Sequence, residues 1–246
     1  MSARPHAEFP PIAVSATERV FVLTGAGISA ESGIQTFRDA RGLWEQYRVL
    51  DVASPEGWTK DHATVWRFYA ERRAQAATCA PNPAHLALAA LERKLEDRLF
   101  LCTQNVDPLH ERAGSRRIVH MHGELFRSRC EACDAPDFAD DGEYRAAVDV
   151  PRCEACGARV RPHICWFGEV PYFMDSIARA LGACDLFVTV GSSGAVYPAA
   201  GFVRAVRARP GTRSIYVGPE EPDNASDFDE CRLGKAGDVL PGLFSP

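Results

Sequence analysis

Four cysteines stand in two pairs, Cys130-x-x-Cys133 and Cys153-x-x-Cys156, with nineteen residues between the pairs. This is the ribbon spacing for one tetrahedral Zn2+ held by four thiolates. Four protein ligands close the coordination sphere, so the zinc is expected to be structural. Just ahead of them runs His120-Met121-His122-Gly123. Imidazole is the natural base at neutral pH, but the residues alone do not choose between the two histidines. A third feature is Gly25-Ala26-Gly27-Ile28-Ser29-Ala30, a G-x-G-x-x-A turn. Its glycines would let backbone N–H groups approach a pyrophosphate at a helix start. The ribose-binding acid expected about twenty residues on could be Asp39 or Asp51, and neither ends a clear second strand.

These groups need elements to position them. Val20 to Leu23 is a short apolar run, as a buried parallel strand requires. Leu99 to Thr103 reads the same way, and its carboxyl end carries Gln104-Asn105-Val106-Asp107-Pro108. Open α/β sheets bind ligands at such ends. Asp107 also suits a helix N-cap, with Pro108 at the first helical position. Asp185 to Val190 forms another buried strand before Gly191-Ser192-Ser193-Gly194, and Ile215 to Val217 a further one. Pro83 to Glu96 is amphipathic, with Leu86, Ala89, Ala90 and Leu91 as its apolar stripe. His85 in it is read as a capping or packing histidine. Asp61 to Ala77 is a second helix, which places Tyr69 and Arg72 side by side. On spacing alone, Glu71-Arg72-Arg73 is a solvated face and Tyr69 a core-edge aromatic. The fold class expected is α/β: an open, mostly parallel Rossmann-like sheet with helices on both faces, plus a small four-cysteine zinc module.

Composition sets outer limits. A chain of 246 residues, 46% hydrophobic and 25% charged, can bury a sizeable core. The net charge of −5 gives no global field for nucleic acid or anionic membrane, so neither is an expected partner. No apolar run approaches the roughly 18 residues of a membrane span. There is no convincing secretory signal, and the cytoplasm is the default compartment. The five cysteines outside the two pairs are scattered, which suggests free thiols rather than a disulfide framework. Residues 1–18 are expected to be a mobile arm. The zinc module is placed at 127–160, inserted in a Rossmann-like domain of 19–126 and 161–246.

GAGISAESGIQTFR followed by GLW resembles the opening motif of the sirtuins, the NAD-dependent protein deacylases. Further stretches follow in that family's order and cover nearly the whole chain from Val20. Gln104 to Gly114 resembles TQNIDxLHxxAG, and Arg161 to Glu169 resembles RPHVVWFGE with Cys165 in place of a valine. Gly191 to Ala200 matches GTSGxVxPAA with Ser192 for Thr, and Glu220 matches N-x-E with Gly218 in place of the Asn. A Tyr-x-x-Arg pair at Tyr69 and Arg72, with Ala53 where deacetylases often carry bulk, resembles the bacterial CobB-like, class III kind.

The resemblance implies an activity and a set of roles. NAD+ is a consumed co-substrate, held by Gly25, Ala26, Gly27, Ser29, Ala30, Glu31, Thr36, Phe37, Arg38, Trp44, Gln104, Asn105, Val106, Asp107, Gly191, Ser192, Ser193, Gly218, Glu220 and Ala236. Phe37 would shield the ribose C1′ and Asp107 would bind the nicotinamide carboxamide. His122, immediately before the glycine, would be the base and His120 structural. Ala53, Tyr69, Arg72, Cys165, Trp166, Phe167 and Gly168 would line the acyl-lysine site. There Tyr69 and Arg72 would bind the terminal carboxylate of succinyl- or malonyl-lysine, chemistry that suits a guanidinium fork and a phenol donor. The acyl oxygen would attack C1′ and His122 would deprotonate a ribose hydroxyl. The products would be nicotinamide, O-acyl-ADP-ribose and free lysine. Acyl-lysine proteins or peptides are the expected partners, with the chain itself a monomer. Two other readings are a protein ADP-ribosyltransferase or NAD hydrolase on the same scaffold, and a noncatalytic zinc-ribbon binding module.

Overall fold

A computed structural model describes residues 9–35, 43–44, 47–142, 144 and 150–244; at 43–44 it describes the backbone alone. Its main sheet has six strands, all parallel: β1 (Val20–Thr24), β4 (Leu99–Thr103), β5 (Ile118–His120), β9 (Leu186–Val190), β10 (Arg213–Gly218) and β11 (Glu230–Leu233). The spatial order is β11-β10-β9-β1-β4-β5. Counted within the sheet, that is the Rossmann order 3-2-1-4-5-6, whose switch point lies between β1 and β9.

Alternation along β1 shows why the strand is apolar throughout. Val20 and Val22 join one core cluster with Leu88, Leu91, Val188 and Val217. Phe21 and Leu23 join a second with Ile177, Phe187, Phe202 and Val206. Both faces are therefore covered, as parallel strands require. Helices α5 (Pro83–Leu95) and α9 (Ala236–Val239) cover the first face; α7 (Met174–Ala183) and α8 (Phe202–Arg207) cover the second.

A second layer of structure adjoins the sheet. Strands β6 (Gly123–Cys130), β7 (Phe138–Ala139) and β8 (Val160–Ile164) form an antiparallel sheet in the order β7-β6-β8. Against it pack α2 (Val49–Val52), α3 (Pro55–Lys60) and α4 (His62–Thr78), sharing a core of Val52, Trp58, Val65, Trp66, Phe68, Leu125 and Trp166. Two short strands, β2 (Leu43–Trp44) and β3 (Tyr47–Arg48), pair antiparallel ahead of α2. Short helices α1 (Gly27–Ala30) and α6 (Leu109–Arg112) follow β1 and β4.

Several local expectations are corrected. Leu86 and Ala90 of α5 are exposed, and the inner face is Ala84, Leu88, Leu91 and Leu95. The pattern slipped because Leu86 is apolar but lies outside the i, i+3, i+4 stripe that starts at Ala84. Arg72 and Arg73 are buried, so 71–73 is not a solvated face. Pro108 precedes α6 rather than starting it, while the Asp107 carboxylate still accepts from Leu109 N at 3.1 Å. Over its described part, the segment expected as a mobile arm is anchored. Ile12 is buried and bridges in parallel to Phe244, and Arg232 donates to Pro10 O at 2.8 Å.

Candidate active site

The carboxyl ends of the strands meet in one row. Gly25 N donates to Val190 O at 2.9 Å, Gln104 N to Thr24 O at 2.9 Å, and Gly191 N to Val217 O at 2.8 Å. Two glycine turns interlock at the switch point. A Cβ on Gly27 would lie 2.8 Å from Gly191 Cα, and one on Gly25 would lie 2.9 Å from Gly191 O. Gly191 itself has φ +64°. These glycines are thus required by the approach of one turn to the other, before any ligand is considered. The result is an edge of backbone where a dinucleotide fits.

Beneath that edge lies a buried polar network. Asn105 Nδ2 donates to Ser29 Oγ and to Gly25 O, each at 3.1 Å. Ser29 Oγ donates to Asp107 Oδ2 at 3.0 Å. Burial drives the Asp107 carboxyl upward from its ordinary pKa, against the bonds from Leu109 and Ser29. A desolvated carboxyl fixed by these two bonds suits a carboxamide ligand. Asn82 N–H donates to His85 Nδ1 at 3.4 Å, completing a capping box for α5. The proton of His85 is therefore on Nε2, 3.5 Å from Ser29 Oγ. Burial lowers His85 to about 4, so it is a neutral packing and capping residue. Gln104 Nε2 donates to Ser192 Oγ at 3.1 Å, tying two of the expected cofactor residues together.

The two histidines, indistinguishable by sequence, differ in structure. His120 Nε2 lies 2.6 Å from Glu111 Oε1 and Nδ1 lies 3.1 Å from Asn105 O. Both partners are acceptors, so both nitrogens carry protons. Burial opposes that charge, but Glu111 and Asn105 outweigh it and His120 is raised. No lone pair is left for base chemistry. His122 uses only Nδ1, which donates to Gln104 O at 3.1 Å. That bond fixes the tautomer with the lone pair on Nε2, which among the described residues has no hydrogen-bond partner. Burial lowers the His122 pKa, more than the Gln104 carbonyl raises it. It is neutral at pH 7 and able to accept a proton.

The residues expected around the acyl group also converge. Cys165 N donates to His122 O at 2.9 Å and Phe167 N to Ala53 O at 3.0 Å. Trp166 Nε1 donates to Tyr69 Oη at 2.9 Å. Arg72, one turn beyond Tyr69, has its guanidinium 5.6 Å from the Phe68 ring centre. Gly168 turns the chain at φ +91°. Burial pushes the Cys165 thiol up to about 11, so it is an inert wall rather than a nucleophile.

The four paired cysteines form one cluster. Cys130 Sγ and Cys156 Sγ are 3.5 Å apart, and Cys133 Sγ and Cys153 Sγ are 3.7 Å apart. All four sulfurs lie within 4.8 Å of one another. Thiolates about 2.3 Å from a tetrahedral zinc would be about 3.8 Å apart. Backbone N–H groups of Ala132 and Cys133 reach Cys130 Sγ at 3.3 and 3.4 Å, and the thiol is lowered to about 6. The donor set fits structural zinc, with no open position.

Other expected cofactor residues are placed less centrally. The Glu31 carboxylate accepts from Gly237 N at 3.0 Å, and Ala236 is buried in the α5–α9 core. Val106 O accepts from Leu125 N at 2.8 Å, and Ser193 O from Asp223 N at 2.9 Å. Ala26 is half-buried and Ala30 exposed on either side of the α1 turn; Gly218 ends β10 and Glu220 lies exposed after it. Thr36, Phe37, Arg38 and the Trp44 side chain lie outside the described residues. Sequence reasoning missed Arg161 and Glu169. Arg161 donates to Glu169 Oε1 at 2.6 Å and covers the Trp166 ring, its guanidinium carbon 3.3 Å from the ring centre. Their opposite charges, eight apart within one turn-containing motif, were the available signal.

A Rossmann-order sheet with its switch point open, a neutral histidine at its rim and a four-thiolate module beside it define a dinucleotide-dependent α/β protein. The chain belongs to the Sir2 family, whose model matches residues 25–198. A Caulobacter vibrioides protein named NAD-dependent protein deacylase is 51% identical over 226 residues, 91% of this chain and 94% of that protein. A Shewanella oneidensis protein of the same name is 48% identical over 231 residues, 92% of this chain and 93% of its own. Among solved structures, a Sir2 homologue–NAD complex is 40% identical with a TM-score of 0.82, covering 92% of this chain and 88% of that one. Sir2 bound to acetylated peptide is 28% identical with a TM-score of 0.76, covering 90% of each chain.

Proposed function

We propose that this chain removes succinyl and malonyl groups, and acetyl groups as well, from protein lysines. The coarser activity is that of its family: it is an NAD-dependent protein deacylase. The observation that carries the acid-acyl reading is the buried pair on α4. Tyr69 and Arg72 lie 2% and 8% exposed, one helical turn apart, and Tyr69 shares a core cluster with Ala53 and Trp166. A guanidinium fork and a phenol O–H one helical turn apart are the donor set that a terminal carboxylate takes. A methyl group at Ala53 leaves length for a longer acyl chain.

His122 is the base in this reading. Gln104 O holds its Nδ1–H, so Nε2 takes the proton. Asn105 and Asp107 hold the nicotinamide end, and the Gly25–Gly27 and Gly191–Ser193 turns hold the phosphates. Bound NAD supplies the ribose carbon that receives the acyl oxygen. The residues Ala53, Cys165, Trp166 and Phe167 exclude water around it, which protects a reactive electrophile from hydrolysis. Cys130, Cys133, Cys153 and Cys156 would hold a zinc that staples the 127–160 module, with no open position for a part in proton transfer.

The test is product analysis with a succinyl-lysine peptide and NAD. Mass spectrometry should find free lysine, nicotinamide and O-succinyl-ADP-ribose in equal amounts. ADP-ribose on protein, or free ADP-ribose alone, would replace this reading by an ADP-ribosyltransferase or NAD hydrolase.

A further inference from the structure

The Tyr69 hydroxyl is not left to choose its own role. Trp166 Nε1–H points at its oxygen from 2.9 Å, and both side chains are buried at 2% exposure. An indole N–H can only donate. The phenol oxygen therefore accepts, and its own proton remains to be given. Among the described residues no acceptor takes that proton. Burial raises the Tyr69 pKa, so the proton stays on the oxygen.

The indole is itself held from three sides. Arg161 lies flat over it, as a planar guanidinium does on an aromatic face. Arg161 Nη2 donates to Ile164 O at 2.8 Å and to Glu169 Oε2 at 3.0 Å. Glu169 Oε2 also accepts from the Trp166 backbone N at 2.8 Å. The Trp58 ring lies 5.7 Å from that of Trp166. The direction of the Nε1–H bond is thus fixed by a charged clamp outside the pocket.

We infer that Trp166 is a specificity-positioning residue, whose indole N–H commits the Tyr69 hydroxyl to donate, so that the pocket selects a carboxylate-ended acyl group. Without that N–H the phenol could turn and either donate or accept. It would then serve a neutral polar acyl group as readily as an acidic one. Arg161 and Glu169 act through Trp166. The inference rests on the acid-acyl reading of Tyr69 and Arg72 above.

The test is a double-mutant cycle of Trp166→Phe and Tyr69→Phe. The readout is the ratio of kcat/KM for succinyl-lysine to that for acetyl-lysine in one peptide, at saturating NAD. Trp166→Phe should lower the ratio about fivefold, mainly through the succinyl KM, as loss of one neutral hydrogen bond implies. In the Tyr69→Phe background the same substitution should leave the ratio unchanged. An unchanged ratio in Trp166→Phe, or an equal fall of the ratio in both backgrounds, would overturn the inference. If Trp166→Phe fails to fold, benzothienylalanine at 166 keeps the ring shape without the N–H and should give the same shift; an unchanged ratio overturns the inference. A wild type whose ratio falls with Arg72→Met but not with Trp166→Phe retains the acid pocket and loses only the positioning role. A wild type inactive on succinyl-lysine removes both.

Discussion

The proposed cofactor edge and the proposed acyl pocket are built on different principles. At the cofactor edge the work is done by backbone: glycines allow two turns to touch, and strand ends align N–H and C=O groups. At the acyl pocket it is done by long side chains fixed through buried charge. Arg73 is the extreme case. It is 1% exposed and donates to Leu125 O, Gly142 O, Ser128 Oγ and Asp140 Oδ2, between the rings of Trp66 and Tyr144. It locks α4 against β6, and so sets where its neighbour Arg72 and Tyr69 stand. A nucleotide edge needs little more than close approach. A pocket that reads a carboxylate needs cations held rigidly in a place that disfavours them.

The comparison can be broken at either side. His122→Ala should lower kcat/KM for every acyl group by about a thousandfold, the middle of the range for a lost general base, with an unchanged melting curve. His120→Asn should cost far less, because His120 has no lone pair to offer. Chelation of zinc, or Cys130→Ser, should abolish both acetyl and succinyl activity together by unfolding the module, seen as a lower melting temperature and lost metal by elemental analysis. Arg73→Met should destabilise the fold by about 3 kcal/mol in denaturant titration, since it strands the buried Asp140 carboxylate. The smallest effect is with pH. The His122 pKa is lowered from its ordinary 6.5, so the base form is present above that pH and lost as pH falls through the lowered value. The kcat/KM profile should be flat between about pH 7.5 and 8.5 and decline only on the acid side. A decline beginning above about pH 7.5 would contradict the environment described for His122.

The same contrast explains what was legible. Strands β1, β4 and β9 are mostly apolar because both faces are covered, and the turns after β1 and β9 carry glycine, so the sheet and its ligand edge could be read directly. The four-cysteine cluster was equally plain, because metal geometry leaves its mark as spacing. The histidine choice was not, because it turns on which carbonyl or carboxylate each ring meets: Glu111 and Asn105 for His120, Gln104 for His122. Arg72 and Arg73 misled for a related reason. Helical spacing places charges on a face but does not say that β6, Asp140, Gly142 and Tyr144 bury it. Leu86 shows the converse, an apolar residue that the packing leaves in water.

The most direct test of the central claim is kcat/KM on one peptide carrying either succinyl-lysine or acetyl-lysine, with and without NAD, in wild type and Arg72→Met. The structure predicts a strict NAD requirement for both and a succinyl activity that falls at least about tenfold further than the acetyl activity in the variant, the worth of a charge-assisted bond. Equal loss of the two activities in Arg72→Met would show that the buried pair on α4 does not read the acyl group. It would return Tyr69 and Arg72 to a purely structural role.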